Sequence, residues 1–148
     1  ASPNICGITF GAEDFTKDIG ALRSRDGREQ FTARSMVVLG AKAAGVQASD
    51  TVWSDIDDVE GLKKSAQEAR ELGFDGKGAI HPEQVKTINN IFNPTMEEIE
   101  YAKKVVAAFD EAEANGSGVV ALGRKMIDPP VVARAQRIIK LAEKIGVL

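Results

Sequence analysis

Four places in the chain put reactive side chains where a fold could use them. Glu13 and Asp14 are adjacent carboxylates that follow the apolar run Asn4–Phe10, separated from it only by Gly11 and Ala12. Asp55, Asp57 and Asp58 form a second acidic cluster, His81 sits between Ile80 and Pro82, and Asp128 stands between Met126-Ile127 and two prolines. A carboxylate pair after a strand reads in two ways, as a helix cap or solvated turn, or as a hard-cation site. Mg²⁺ binds through oxygen, takes only one or two protein carboxylates and keeps water or substrate oxygens in its other positions. Neighbouring side chains project in different directions, so one ligand is expected, and Asp14 is the better placed, with Phe15 anchoring the loop behind it. The Asp57-Asp58 pair suits a helix N-terminus, where side-chain oxygens accept from free N–H groups and the dipole favours negative charge. His81 is the only histidine, so a His-based metal cluster or a Ser-His-Asp triad would need groups from elsewhere. Its position before Pro82 holds it extended, with structural and catalytic roles both open. Asp128 is either a turn and cap residue or a single carboxylate presented to a cleft by a loop that prolines have stiffened.

These residues need elements to position them. The run Asn4–Phe10 is apolar nearly throughout, as in a strand buried on both faces. A polar stretch follows to about Gly27, then a helix is predicted over Arg28–Ala44, with Ala33, Val37, Ala41 and Ala44 on one face and Gly45 as its stop. The unit repeats. Thr51–Ile56 reads as a strand, and a helix opened by Asp57 or Asp58 and closed at Gly73 carries Val59, Leu62, Ala66 and Ala69 at spacings of three and four. Gly76–Ile80 reads as a third strand, and Pro82 opens another helix where a missing N–H costs nothing. Strand–helix repeats of this kind make a parallel α/β sheet, and ligands of such sheets bind at the carboxyl ends of the strands. Three of the four reactive places fall at those ends.

Near Asn93–Pro94 the pattern changes, which divides the chain into 1–93 and 94–148. Thr95 and Glu98 form a capping box for a helix striped by Ile99, Ala102, Val106, Phe109 and Ala112 and ended by Gly116 and Gly118. Val119–Leu122 reads as a short strand or hairpin arm, the residues from Gly123 to Pro130 as a turn, and a last helix turns Val132, Ala135, Ile139 and Ala142 inward. The Gly116–Gly118 segment makes a poor phosphate loop, having no strand before it and no Lys-Ser/Thr after it. Trp53, in the second strand, is read as a core residue. Three strand–helix units are too few to close a barrel and leave an exposed sheet edge. Either a partner completes them or residues preceding Ala1 do.

Composition narrows the class. The chain has 148 residues, enough for a real core, and a net charge of −3 from 19 basic and 22 acidic side chains, with no basic run longer than two residues. Nucleic acid and acidic membrane surfaces are thereby excluded as main partners. Cys6 is the single cysteine, which rules out an internal disulfide and fits a reducing cytosol. No segment approaches the ~18 apolar residues of a membrane span and nothing reads as a secretion signal, so a cytoplasmic location is expected.

The segments from Gly7 to Val38, Asp50 to Leu62, Glu71 to Val85 and Gly116 to Ile138 together resemble the citrate lyase beta-subunit family, which includes malyl-CoA and citramalyl-CoA lyases and is related to the HpcH/HpaI aldolases. The resemblance is collinear over essentially the whole chain and covers the later part of such proteins. It implies the last three βα units of a TIM (β/α)8 barrel plus a C-terminal helical lid, with the barrel incomplete in this chain. It further implies a Mg²⁺ site built from Asp14 and a Glu of an earlier strand, a substrate carboxylate held by backbone amides from Ala12 through Glu13 to Asp14, and an acyl-CoA or acyl-carrier thioester lined by Ile80, His81 and Pro82. Asp128 in the lid would be the acid/base at the thioester α-carbon, reaching into a neighbouring subunit of a homo-oligomer. The family arginine that grips substrate lies outside this chain. Two departures are visible: the family commonly has Asp or Asn, then Gly, then Lys before the Met-Ile-Asp motif, where this chain has Gly123-Arg124-Lys125, and dedicated citrate lyase beta subunits can carry Asn where His81 stands, a hint towards a stand-alone acyl-CoA enzyme.

The activity so implied is Mg-dependent cleavage of a citryl-, malyl- or citramalyl-type thioester into an acyl-CoA and an oxo acid. Two alternatives stand beside it, a thioesterase on the same fold and an inactive fragment that needs the earlier part of the barrel.

Overall fold

Every strand of the first sheet is shorter than the sequence predicts. The structure is a computed structural model that describes residues 2–118 and 120–148. β1 (Gly7–Thr9), β2 (Gln47–Asp50) and β3 (Gly76–Lys77) lie parallel in the order β1-β2-β3, with Gly7 opposite Gln47 and Asp50 opposite Lys77. They belong to the first of two compact units, Ala1–Phe92, and the second is Asn93–Leu148.

Three sequence readings are corrected here. β1 was expected to run from Asn4 to Phe10 and to be buried on both faces, yet its three residues are exposed. It is an edge strand that pairs with β2 alone among the described strands, and α2 is the helix that packs on it. Its apolar composition therefore covers less than a double-sided strand would. The second strand was expected at Thr51–Ile56 but lies four residues earlier. Gln47-Ala48-Ser49-Asp50 is polar and weak in strand propensity, whereas Thr51-Val52-Trp53 has the β-branched and aromatic composition that marks strands. Register against β1 and β3 overrides that preference. The third strand ends at Lys77, so Gly78 to His81 are loop.

A helix that the sequence reading left within a polar stretch, α1 (Ala12–Ile19), follows β1 directly. Gly11 is its extended N-cap and Gly20 closes it in the left-handed region (φ 69°). It buries only Ala12 and Thr16, so it lacks the apolar stripe that reveals a helix in sequence. A single 3₁₀ turn (Arg28–Gln30) leads into α2 (Phe31–Ala44), whose buried face is Arg34, Val38 and Ala41, flanked by half-buried Ala33 and Val37, with Ala44 exposed. α3 (Val59–Leu72) starts at the Asp58 N-cap, ends at Gly73 and turns Leu62, Ala66 and Ala69 inward, leaving Val59 exposed. α4 (Pro82–Phe92) begins with proline and buries Gln84 and Ile88. Phe10, Ala12, Val38, Ala41, Ala48, Ala69 and Phe74 form the apolar core between sheet and helices.

The second unit is a helix pair with a hairpin between. α5 (Met96–Ala114) carries the Thr95/Glu98 capping box in full: Thr95 Oγ1 accepts from Glu98 N at 3.1 Å, and Glu98 Oε2 accepts from Thr95 N at 2.8 Å. β4 (Val120–Leu122) and β5 (Lys125–Ile127) pair antiparallel across Gly123-Arg124, so part of the expected turn is a strand. Gly123 takes φ 63° at the first position of this two-residue turn, a conformation that favours glycine. The predicted start of the strand, Val119, lies outside the described residues. α6 (Pro129–Lys144) packs along α5 and buries Val132, Ala135 and Ala142. No helix of the described residues is long and apolar enough to cross a membrane.

Candidate site at the strand ends

β1 delivers the chain through Phe10 and Gly11 into α1, and the first turn of that helix holds Glu13 and Asp14. Three contacts fix this turn. Ala12 N donates to Thr51 Oγ1 at 3.1 Å in a buried setting, the Phe15 ring lies 5.4 Å from that of Phe10 at an interplanar angle of 56°, and Glu13 accepts from Arg23. Arg23 in turn donates from its second guanidinium nitrogen to Val52 O at 3.0 Å. Asp14 is exposed and makes no side-chain hydrogen bond or ion pair among the described residues. Of the two adjacent acids, one is engaged and the other is uncommitted.

The second strand does not end where the sequence placed its acids. Its last residue is Asp50, fully buried and unexpected as a site residue. Arg34 grips it with two nitrogens, Nε on Oδ1 at 3.0 Å and an NH on Oδ2 at 2.9 Å, while Lys77 Nζ reaches Oδ2 at 3.0 Å and Thr51 O at 2.8 Å. Arg34 extends the network to Glu68 Oε2 at 2.8 Å and lies 5.9 Å over the ring of Phe74. Burial lowers the pKa of Lys77 even though Asp50 opposes it. For Arg34, burial also works against the charge, but hydrogen bonds to Asp50 and Glu68 outweigh it and raise the pKa. Removing a charge from such an interior leaves its partners unpaired, which costs far more than an exposed pair would. A signal for Arg34 was present in the sequence, since it shares the spacing of Val38 and Ala41 on one helix face.

The predicted acidic cluster lies beyond this strand end. Asp58 caps α3 by accepting from Gly61 N at 2.9 Å, as its sequence position suggested, and Arg25 approaches Asp55 at 3.3 Å and Asp58 at 3.6 Å. A Cβ on Gly61 would collide with the Trp53 ring and the Asp58 carboxylate. Trp53 is half-buried, and its Nε1 is buried without a hydrogen-bond partner among the described residues. Its ring walls a cavity of about 360 Å³ together with Arg23, Arg25, Arg34, Thr51 and Lys64. Asp14, Ile80, His81 and Pro82 do not line that cavity.

At the third strand end, Gln84 is the organising side chain. It is 2 % exposed, accepts from Ile80 N at 3.0 Å and donates from Nε2 to Trp53 O at 2.9 Å. His81 Nδ1 accepts from Glu83 N at 3.4 Å and the ring is partly exposed, Ile80 is 50 % exposed, and Pro82 opens α4. Asp14 and the Ile80–Pro82 segment thus sit on the same, C-terminal side of one parallel sheet. Asp128 belongs to the other unit, where it caps α6 by accepting at Oδ1 from Val131 N at 3.3 Å, leaving Oδ2 uncommitted. Among the described residues no three His, Cys, Asp or Glu side chains converge in a metal-holding group. Asp14 is a single uncommitted carboxylate just beyond a strand end.

Known proteins resemble this chain over nearly its whole length. The family described as HpcH/HpaI aldolase/citrate lyase matches residues 1–82. Citrate lyase subunit beta of Leuconostoc mesenteroides subsp. cremoris is 44% identical over 142 residues, 96% of this chain and 47% of that protein. Mitochondrial citramalyl-CoA lyase of Mus musculus is 41% identical over 138 residues, 93% of this chain and 41% of its own. Among solved structures, the CitE protein of Mycobacterium tuberculosis in complex with magnesium, acetoacetate and coenzyme A aligns with TM-score 0.81 at 34% identity, covering 93% of this chain and 52% of that one. The chain spans about half the length of these relatives. The resemblance carried by the four sequence motifs is upheld.

Proposed function

This chain belongs to the HpcH/HpaI aldolase/citrate lyase family, and from that premise we propose that the protein containing it is a Mg²⁺-dependent carbon–carbon lyase acting on a β-hydroxyacyl thioester. Unit Ala1–Phe92 is then the end of a TIM barrel and unit Asn93–Leu148 its lid. The observation that carries the reading is the state of Asp14: exposed, without a partner, in the first turn after a parallel strand, on a helix start that Thr51 and the Phe10–Phe15 contact hold still. A single free carboxylate fits Mg²⁺, which needs few protein donors. A second carboxylate comes from outside this chain, as do the remaining barrel strands. Magnesium in the solved relative supports the assignment.

When bound, the metal supplies Lewis-acid stabilisation of charge on the substrate's oxygens. The rest falls to side chains. Backbone amides of Glu13 and Asp14 hold the substrate carboxylate, the Ala12 N–H being taken up by Thr51 Oγ1, and Ile80, His81 and Pro82 line the thioester arm. The hydroxyl gives its proton to solvent water and becomes a carbonyl as the bond between the thioester α-carbon and the hydroxyl-bearing carbon breaks, and the electron pair of that bond passes to the thioester as an enolate. Asp128, in the lid of a neighbouring copy, gives a proton to that α-carbon, or removes it in the condensation direction. A positioned acid/base of this kind contributes roughly 10²–10⁴ in rate.

The test is product analysis on the complete protein with malyl-, citramalyl- and citryl-type thioesters. Release of a short acyl-CoA and an oxo acid, stopped by chelator and by Asp14→Ala, is the expected result. Free hydroxy acid and coenzyme A would make the protein a thioesterase instead. Turnover surviving both chelator and Asp14→Ala would reject the metal reading.

A further inference from the structure

No residue of Thr51-Val52-Trp53 was expected to do chemistry, yet elements from both neighbouring strand ends hook onto this segment. From the β1 side, Ala12 N donates to Thr51 Oγ1 and Arg23, the partner of Glu13, donates to Val52 O. From the β3 side, Lys77 donates to Thr51 O, and Gln84 donates to Trp53 O while accepting from Ile80 N. Thr51, Lys77 and Gln84 are each 8 % exposed or less. Bonds of this kind, with buried partners that water cannot replace, are costly to leave unmade. The segment continues from Asp50, which Arg34 and Lys77 clamp in the interior. It is thus anchored at its root and loaded from both sides.

We infer that Thr51–Trp53 is a brace that sets the Asp14 turn against the Ile80–Pro82 segment, with Thr51 positioning the first and Gln84 the second. The inference builds on the proposed function, because it assigns what the two braced segments hold: a divalent cation on one side and a thioester on the other. Neither Thr51 nor Gln84 touches substrate in this account. The hydroxyl of Thr51 takes up the Ala12 N–H at the start of the helix whose first turn carries Asp14, so its loss frees that turn to tilt. Gln84 uses both ends of its amide to tie one loop to the other, so its loss frees Ile80 without touching Ala12. The two residues therefore act on different ligands, a split that general destabilisation would not produce.

Three variants of the complete protein decide it: Thr51→Val, which keeps the shape and removes the hydroxyl, Thr51→Ser, which keeps the hydroxyl, and Gln84→Met, which keeps the length and removes the amide. Amide hydrogen exchange reads the brace without reference to activity. Thr51→Val is expected to speed exchange of the Ala12 amide at least about tenfold and leave Ile80 protected, Gln84→Met to do the reverse, and Thr51→Ser to match the parent. Mn²⁺ binding followed by electron paramagnetic resonance, with no substrate present, reads the first function: Thr51→Val weakens it about tenfold or more, the scale of losing a residue that orients a ligand, while Gln84→Met does not. The KM for thioester reads the second and responds to Gln84→Met. Exchange that rises on both sides in both variants, or on neither, overturns the brace, as does failure of Thr51→Ser to match the parent. A parent protein that binds neither Mn²⁺ nor thioester defeats the proposed function, and the exchange pattern then still decides whether the brace exists.

Discussion

Where the first unit closes around Asp50, Arg34 and Lys77, the second closes around Ala102, Val105, Ile127, Val132 and Ala135, and every buried polar or charged side chain among the described residues lies in the first. The difference follows from what each interior has to hold. A pair of packed helices with a hairpin can register itself by apolar ridges and grooves alone. Parallel strands of three, four and two residues have few ladder bonds with which to fix their ends. Directional bonds to Asp50 supply that missing definition, at the expense of an interior that cannot lose one member without stranding the others. Order at the strand ends is thus electrostatic, and order in the helical unit is a matter of packing.

Breaking the contrast at its strongest point means Asp50→Asn. Arg34 and Lys77 then remain buried without their shared countercharge, and denaturant unfolding is expected to show a loss of about 3–5 kcal/mol, with hydrogen exchange accelerated in the first unit. The matching change in the second unit, Ile127→Ala, removes a fully buried side chain and is expected to cost about 2–5 kcal/mol by cavity formation, with no change in the pH dependence of stability. A loss in Asp50→Asn below that of an ordinary surface substitution would erase the distinction.

Asp128 sharpens it on a smaller scale, because one carboxylate has both a structural and a proposed chemical use. Asp128→Ala removes the α6 cap and is expected to cost about 1 kcal/mol, whereas Asp128→Asn keeps a capping oxygen and stays within a few tenths of the parent. Both lose turnover in the complete protein if Asp128 moves a proton. Equal loss of stability in the two variants would show that the carboxylate charge, and not its capping oxygen, matters to the unit. The smallest effect concerns Glu29, beside the first unit's cavity. Burial raises its pKa, but hydrogen bonds from Ser24 and Gln30 outweigh this and bring it from the ordinary 4.5 down to about 2. A carboxylate depressed in this way stabilises the fold above pH 4.5, and that contribution is lost as pH falls from 4.5 towards 2. The Ser24 amide resonance should accordingly titrate near 2; a midpoint near 4.5 would mean the hydrogen bonds are not maintained.

What could be read in the sequence was mostly what periodicity and capping encode. The Thr95/Glu98 box, the Asp58 cap, the stops at Gly45 and Gly73, the inward face of α6 and that of α3 apart from Val59 all follow from local rules, and the structure keeps them. Placement of β2 was not legible, because its identity comes from ladder partners far along the chain, and the apolar Thr51–Trp53 segment offered a better local strand. A strand at Thr51–Ile56 puts Asp55–Asp58 at its end, whereas the strand that forms ends on Asp50. α1 was missed for a related reason: a short helix with two buried positions has no stripe to reveal it. Gln84 looked like an ordinary residue of a helical first turn, and its burial is visible only once the loop of Trp53 is folded over it.

Gly61 carries a consequence of its own. It is crowded by the indole of Trp53 and the carboxylate of Asp58, so the smallest possible residue is the one that lets aromatic ring and helix nest together. Any side chain introduced there would act as a wedge, prising the ring outward and dragging its carbonyl off Gln84. A single methyl group, remote from every atom proposed to react, would in this way be enough to put the machinery out of alignment.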